Sequence, residues 1–347
     1  MFRTEDLLTQ ISSAKYFSKL DLAKGYWQIP MNEDAKPLTA FSTPQGLFHW
    51  NYMPFGLVNS PATFVRMMRT LLQGRKDIIN YIDDICLFSR NMEDHIKGLR
   101  SLFESLRQHN LTVKPSKVQI GYEEISFLGH VIGNGLLKPE ETNVKKILDI
   151  QTPKTKKQVR SLLGLANFYN KFIRNFSSIT AVLSALTQKG KPNKVVWTPQ
   201  CEAALKQIKK LFSGYPILTL PNLDLPFTLR VDASSTGIGG CLMQDYDTTI
   251  HPVLFVSRKL STSEMKFSTL EREALSIVWS VNKLSKYLMG RHFILQTDHR
   301  PLTFIHSAAI KNSRVHRWSI LLQEYSFTSV PIRGEDNHIA DLLSRNH

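Results

Sequence analysis

The rhythm of apolar and polar positions changes twice along the chain and marks out three stretches. In the first, about 1–115, AKYFSKLDL predicts a strand, and IINYIDDICLFS predicts two apolar strands around a turn. NMEDHIKGLRSLFESLRQHNL predicts an amphipathic helix, with Met92, Ile96, Leu99, Leu102, Phe103 and Leu106 at the three-and-four spacing of a buried face. The second stretch, about 116–222, is mostly helical. Thr155 is placed to cap a helix whose stripe is Val159, Leu162, Leu163, Ala166, Tyr169 and Ile173. The proline-punctuated GYPILTLPNLDLP reads as a connection. The third stretch opens with PFTLRVDAS, where Phe227, Leu229 and Val231 alternate with Thr228, Arg230 and Asp232. A glycine turn at Gly237, Gly239 and Gly240 is expected next, then further strands. A long helix follows with Leu270, Ala274, Ile277, Val281, Leu284 and Leu288 on one face, then the strand HFILQTDHRPL and a closing helix near 337–345. Strands, helix, strand, helix is an α/β pattern of domain size.

At 347 residues the chain is too long for one core and predicts several units. Lys and Arg total 44 against 29 Asp and Glu, so the formal net charge is +15, which favours a polyanionic partner. Nucleic acid and an anionic membrane surface both fit that charge. Hydrophobic residues at 42% exclude wholesale disorder. The three cysteines, Cys86, Cys201 and Cys241, are far apart, which excludes a disulfide framework and a cysteine-rich zinc site and points to a reducing, intracellular compartment. No apolar run approaches the roughly 18 residues of a membrane span.

Candidate chemistry lies in the acids. Asp83 and Asp84 fall at the tip of the IINYI–ICLF hairpin. Two carboxylates about 4 Å apart repel by about 4 kcal/mol at an effective dielectric near 20. An ordinary polar turn fits the pair; so does a divalent cation, which converts the repulsion into coordination. Asp21 ends its own strand and would join the pair if the strands are neighbours.

LDLAKGYWQI, MPFGLVNSPATF, YIDD and FLGHVI occur in that order. Together they resemble the palm motifs of reverse transcriptases from gypsy-type LTR retrotransposons. The resemblance implies that Asp21, Asp83 and Asp84 bind the polymerase metals and that Tyr26 lies under the sugar and excludes a 2′-hydroxyl. It implies that Phe55, Gly56, Ser60 and Pro61 hold template and incoming nucleotide, and that Leu128 and Gly129 form the primer grip. Family enzymes carry a fingers subdomain before the first acid, whereas only 20 residues precede Asp21. The expectation is an amino-terminally truncated palm with the fingers largely missing and polymerisation impaired.

In the third stretch Glu273 lies roughly 60° from the centre of its helix stripe, and a carboxylate at the edge of a buried face needs a partner or a metal. Asp232 and Asp298 end strands, and Asp341 starts the final helix, at successive spacings of 41, 25 and 43 residues. VDAS, REALSIVW, TDHRPL and IADLLSR resemble the gypsy-type ribonuclease H site. The resemblance implies that Asp232, Glu273, Asp298 and Asp341 bind two Mg²⁺ and hydrolyse RNA paired to DNA; Mn²⁺ suits the same oxygen-only site. His338 stands three residues before Asp341, not at the family's usual mobile-histidine position, and receives no role. His299, beside Asp298, is the better candidate near the site, although an ordinary surface histidine is the favoured reading of it.

Between the two lie Lys154, Lys156, Lys157, Arg160, Lys171 and Arg174. A solvated helix face accounts for them by composition alone. The resemblance makes them a thumb and connection gripping phosphates of an RNA–DNA hybrid or primer–template. The expected organisation is α/β and α+β multidomain: a partial palm over 1–132, a mainly helical thumb and connection over 133–225, and a ribonuclease H-like α/β domain over 226–347. The expected function is Mg²⁺-dependent cleavage of RNA in hybrids. RNA-directed DNA polymerisation from deoxynucleoside triphosphates is the family's other activity, and the setting is a cytoplasmic particle or the nucleus. The rival is a catalytically silent, domesticated nucleic-acid-binding relic. A membrane-surface role ranks last, because the basic helix spends its apolar face on a core.

Overall fold

The computed structural model describes residues 7, 10–174, 176–214, 216–246, 249–298 and 312–332. Asp341, His299, His338 and the closing helix expected near 337–345 lie outside the described residues. The chain divides into two compact units, Met1–Leu136 and Leu137–His347.

In the first unit β1 (Tyr16–Asp21) is followed by the small hairpin β2 (Phe41–Thr43) and β3 (Gly46–Phe48). Helix α1 (Ser60–Leu71) has Pro61 in its first turn, where the missing N–H costs nothing, and buries Phe64, Met68 and Leu71. Then come β4 (Ile78–Tyr81), β5 (Asp84–Ser89), α2 (Met92–Gln108), β6 (Gln119–Tyr122), β7 (Glu124–Phe127) and β8 (His130–Gly133). Strands β4, β5, β1 and β6 form one sheet in that order. Leu20, Ile85, Phe64, Met68, Leu99, Leu102 and Leu106 pack into its core.

The face of α2 departs from expectation. Met92, Ile96 and Phe103 are exposed, and His95 is buried with Leu99, Leu102 and Leu106. Positions 95, 99, 102 and 106 follow the helical repeat more closely than the all-apolar set. The imidazole is accommodated because Ser18 Oγ lies 2.7 Å from Nε2 and Ser89 Oγ 2.9 Å from Nδ1. Ser89 also donates to Asn91 O, so it accepts from Nδ1–H, and Ser18 donates to Nε2.

The second unit begins with the short strand β9 (Leu136–Pro139) and the helices α3 (Glu141–Leu148), α4 (Lys156–Phe168), α5 (Phe176–Leu186) and α6 (Pro199–Ser213). Thr155 caps α4 in a capping box with Gln158, and Val159, Leu162, Ala166, Tyr169 and Ile173 are buried, with Leu163 half-buried. After the two-residue strand β10 (Leu218–Thr219) come β11 (Phe227–Ala233), β12 (Gly237–Tyr246), β13 (Thr249–Lys259), α7 (Thr269–Lys283), α8 (Ser285–Leu288), β14 (His292–Thr297), α9 (Ser313–Leu322) and β15 (Ser326–Pro331). The sheet order is β13-β12-β11-β14-β15, antiparallel across β13, β12 and β11 and parallel from β11 through β14 to β15.

Gly237, Gly239 and Gly240 do not form the expected turn; they lie inside β12, and the turn precedes them, closed by Ser234 N–H donating to Gly237 O. The reason is packing. A Cβ at Gly240 would stand 2.9 Å from Ser280 Oγ of α7, so glycine on the strand and serine on the helix let the two approach closely. Among the described residues no helix is long and apolar enough to cross a membrane.

Candidate functional site

Antiparallel register places Asp21 of β1 directly opposite Asp84 of β5. Asp83 stands beside them in the turn, exposed. The preceding Ile82 has φ +56, a left-handed conformation costing an L-residue about 1–2 kcal/mol, so backbone strain is concentrated at the acidic tip. Gly25 lies under the same tip: a Cβ there would meet Phe64 Cζ at 2.9 Å and Asp83 Cβ at 3.6 Å. The Tyr26 ring packs against Phe55 at 5.2 Å and Phe64 at 5.3 Å between centroids. Gly56 has φ +95, and Ser60 Oγ–H donates to Pro54 O, pinning that loop to the start of α1. Leu128 and Gly129 form the two-residue turn between β7 and β8, both with positive φ, as such hairpins require.

Two lysines share this site, and sequence reasoning overlooked both. Lys117 Nζ lies 2.7 Å from Asp21 Oδ2, and Lys19 Nζ lies 3.4 Å from Asp84 Oδ1. Lys19 was findable, since residues two apart on a strand share a face; Lys117 is 96 residues from its partner. Burial raises the Asp84 carboxyl above its ordinary range, and Lys19 opposes that rise.

The second cluster is built by packing. On α7, Glu273, Ser276 and Ser280 are buried alongside Ala274, Ile277 and Val281, which widens the face beyond the aliphatic stripe. The small serines let α7 lie on β11 and β12, bringing Glu273 to Asp232. Parallel pairing of β11 with β14 brings Asp298 beside them. Ligand oxygens of Asp232, Glu273 and Asp298 all lie within 4.8 Å of one another. Glu273 accepts from the Ala233 backbone N–H, and its Oε2 is buried with no hydrogen-bond partner among the described residues. Burial, then Asp232 and Asp298, push the Glu273 carboxyl up to about 9. At 4.8 Å each charged pair repels by about 3.5 kcal/mol at a dielectric near 20. Oxygen-only donors, an orphaned buried oxygen on Glu273 and three crowded acids fit a divalent cation. Asp21, Asp83 and Asp84 do not converge in this way; two of the three are held by lysines.

In the basic helix, Lys156 Nζ donates to Gln188 O at 3.0 Å and Arg160 to Thr187 O at 3.3 Å, capping carbonyls just past α5. Lys154 and Lys157 are exposed. Lys171 lies over the Phe172 ring and Arg174 over Phe255.

Residues 1–132 match the family model of reverse transcriptase (RNA-dependent DNA polymerase), and 222–325 match that of the RNase H-like domain found in reverse transcriptase. The chain is 36% identical over 345 residues to the retrovirus-related Pol polyprotein from transposon 297 of Drosophila melanogaster, covering 98% of this chain and 32% of that one. It carries the reverse transcriptase and RNase H-like domains of a retrotransposon Pol polyprotein homologue. The Pol polyprotein from Drosophila transposon 412 is 33% identical, with 99% and 28% covered. The Tf2-3 polyprotein of Schizosaccharomyces pombe is 31% identical, with 98% and 26% covered. The chain thus spans between a quarter and a third of these relatives' length. Its fold is similar to part of the foamy viral protease-reverse transcriptase. The complex of that protein with double-stranded DNA superposes with TM-score 0.85 at 25% identity, covering 96% of this chain and 59% of that one. The RNA/DNA hybrid complex superposes with TM-score 0.80 at 24% identity, covering 99% and 47%.

Proposed function

We propose that this chain hydrolyses the RNA strand of RNA–DNA hybrids through its RNase H-like domain; RNA-directed DNA polymerisation is the family's other activity, and its acids stand in the reverse transcriptase domain. The observation that carries the nuclease reading is the buried trio Asp232, Glu273 and Asp298, mutually within 4.8 Å. These three, joined by Asp341, would hold two Mg²⁺, with Mn²⁺ an equal fit to oxygen donors. Bound divalent ions supply a Lewis acid and a water of lowered pKa at the scissile phosphate. The chain's own part is to orient Glu273 through the Ala233 N–H and to exclude water by seating α7 on β12. Asp21, Asp83 and Asp84 are assigned to polymerisation, with Tyr26, Phe55, Gly56, Ser60 and Pro61 at the nucleotide and template, and Leu128 and Gly129 at the primer. Deoxynucleoside triphosphates and primer–template are the partners. Exposed Lys154 and Lys157 are assigned to backbone phosphates, and the duplexes bound by the solved relatives support nucleic acid as the partner. The Drosophila and Tf2 relatives favour the gypsy-type branch. Three buried free cysteines support an intracellular site of action, in a cytoplasmic particle or the nucleus.

The test is one hybrid: end-labelled RNA template, annealed DNA primer, Mg²⁺ and all four deoxynucleotides. RNA cut by the wild type and left intact by Glu273→Gln supports the nuclease. Primer extension in the same lane scores the polymerase. Equal cleavage by both proteins would remove the trio from the mechanism.

A further inference from the structure

The reverse transcriptase acids already carry cations of the chain's own. Lys117 Nζ bonds Asp21 Oδ2 at 2.7 Å, Lys19 Nζ stands 3.4 Å from Asp84 Oδ1, and Asp83 has no ion-pair partner among the described residues. The two lysines are held differently. Lys19 lies on β1 with its side chain 23% exposed and its ammonium 5.9 Å from the Phe127 ring centroid, so it is fixed by its surroundings. The Lys117 side chain is 54% exposed. Its segment is anchored without that side chain: Lys114 N–H donates to Asp21 O at 2.8 Å, and Lys117 N–H donates to Lys114 O at 3.0 Å. Losing the Lys117–Asp21 ion pair therefore leaves the segment pinned to β1. An exposed ion pair of this kind is weak, and a divalent ion offered several carboxylates outcompetes it.

We propose that Lys117 is a displaceable latch on the polymerase metal site: its ammonium occupies Asp21 until a divalent ion takes that carboxylate, while Lys19 stays as the permanent counter-ion of Asp84. The proposal rests on the reading that Asp21, Asp83 and Asp84 hold metal. A latch engaged about nine times in ten lowers the apparent metal affinity about tenfold, because only the unlatched fraction is competent.

The experiment measures Mn²⁺ binding to the full chain by the electron paramagnetic resonance of free Mn²⁺, in a Glu273→Gln background that weakens the nuclease site. Circular dichroism confirms folding of each variant. Lys117→Met is expected to lower the Mn²⁺ Kd about tenfold, Lys117→Arg to stay near the parent, and Lys114→Met to stay within about twofold. Lys114 is exposed, and its substitution removes the same charge from the same segment without touching the Asp21 carboxylate. Unchanged or weaker binding in Lys117→Met overturns the latch, and so does equal tightening by Lys114→Met, which would mark a general field effect. Asp21→Asn separates the two levels. If it abolishes the measured binding while Lys117→Met does nothing, the latch fails and the metal reading stands. If neither substitution changes binding, the latch and the polymerase assignment fall together.

Discussion

Glu273→Gln tests the buried trio through stability rather than activity. Burial and two neighbouring acids push the Glu273 carboxyl from 4.5 up to about 9. A carboxyl whose folded pKa is raised leaves the native state holding the extra proton between those values, so stability is complete below pH 4.5 and is lost as pH rises through 9. At about 1.4 kcal/mol per pH unit, the cost is on the order of 3 kcal/mol at pH 7 and on the order of 5 kcal/mol at pH 8. The neutral, nearly isosteric amide escapes that cost. In EDTA, Glu273→Gln is therefore expected to melt above the wild type, by roughly 6–12 °C at pH 7 at about 2–4 °C per kcal/mol, with the gap closing toward pH 5. Saturating Mg²⁺ reverses the order, because only the intact trio gains stability from binding. Thermal melts at pH 5, 7 and 8, with EDTA and with Mg²⁺, read both effects. Superimposable melts at pH 8 in EDTA would refute the reasoning, since they would mean that the carboxylate is neither desolvated nor crowded.

Two further outcomes are expected. Gly133→Ala places a Cβ against the Glu123 carbonyl and 2.8 Å from Glu124 Cα, so urea titration should show destabilisation by about 1–3 kcal/mol. Lys154→Ala with Lys157→Ala should flatten the salt dependence of hybrid binding by about 0.7–0.9 in log–log slope for each phosphate left without its lysine, whereas Lys156→Ala, whose ammonium caps Gln188 O, should act mainly on stability.

The places of several candidate acids on their elements were legible from local rules, while their grouping into sites came from the family resemblance. Alternation puts Asp21 and Asp232 near the ends of their strands, and helical spacing puts Glu273 at the edge of the α7 stripe. What escaped depends on partners distant in sequence. Helical spacing admits His95 to the buried face, but the Ser18 hydroxyl that lets its ring be buried in place of Ile96 is 77 positions away. Gly240 resembled a turn residue because its reason for being small, Ser280, is 40 positions away. Ser276 and Ser280 are buried on the same helix for the same reason, close packing against the sheet. Lys117 meets Asp21 across 96 positions, through a segment that the Lys114 N–H pins to Asp21 O.

The parallel pairing of β11 with β14 also has a consequence in time. Asp232 leaves the ribosome early in its domain, and β12, β13 and α7 must all follow before β14 can dock beside β11 and deliver Asp298. Pairing across so long a loop is slow compared with closing the β11–β12 hairpin. Carboxylate crowding is therefore imposed at a late folding step, after the antiparallel half of the sheet can already stand. A nascent chain ending between α7 and β14 holds Asp232 and Glu273 without Asp298, and so has a platform for the trio but no trio.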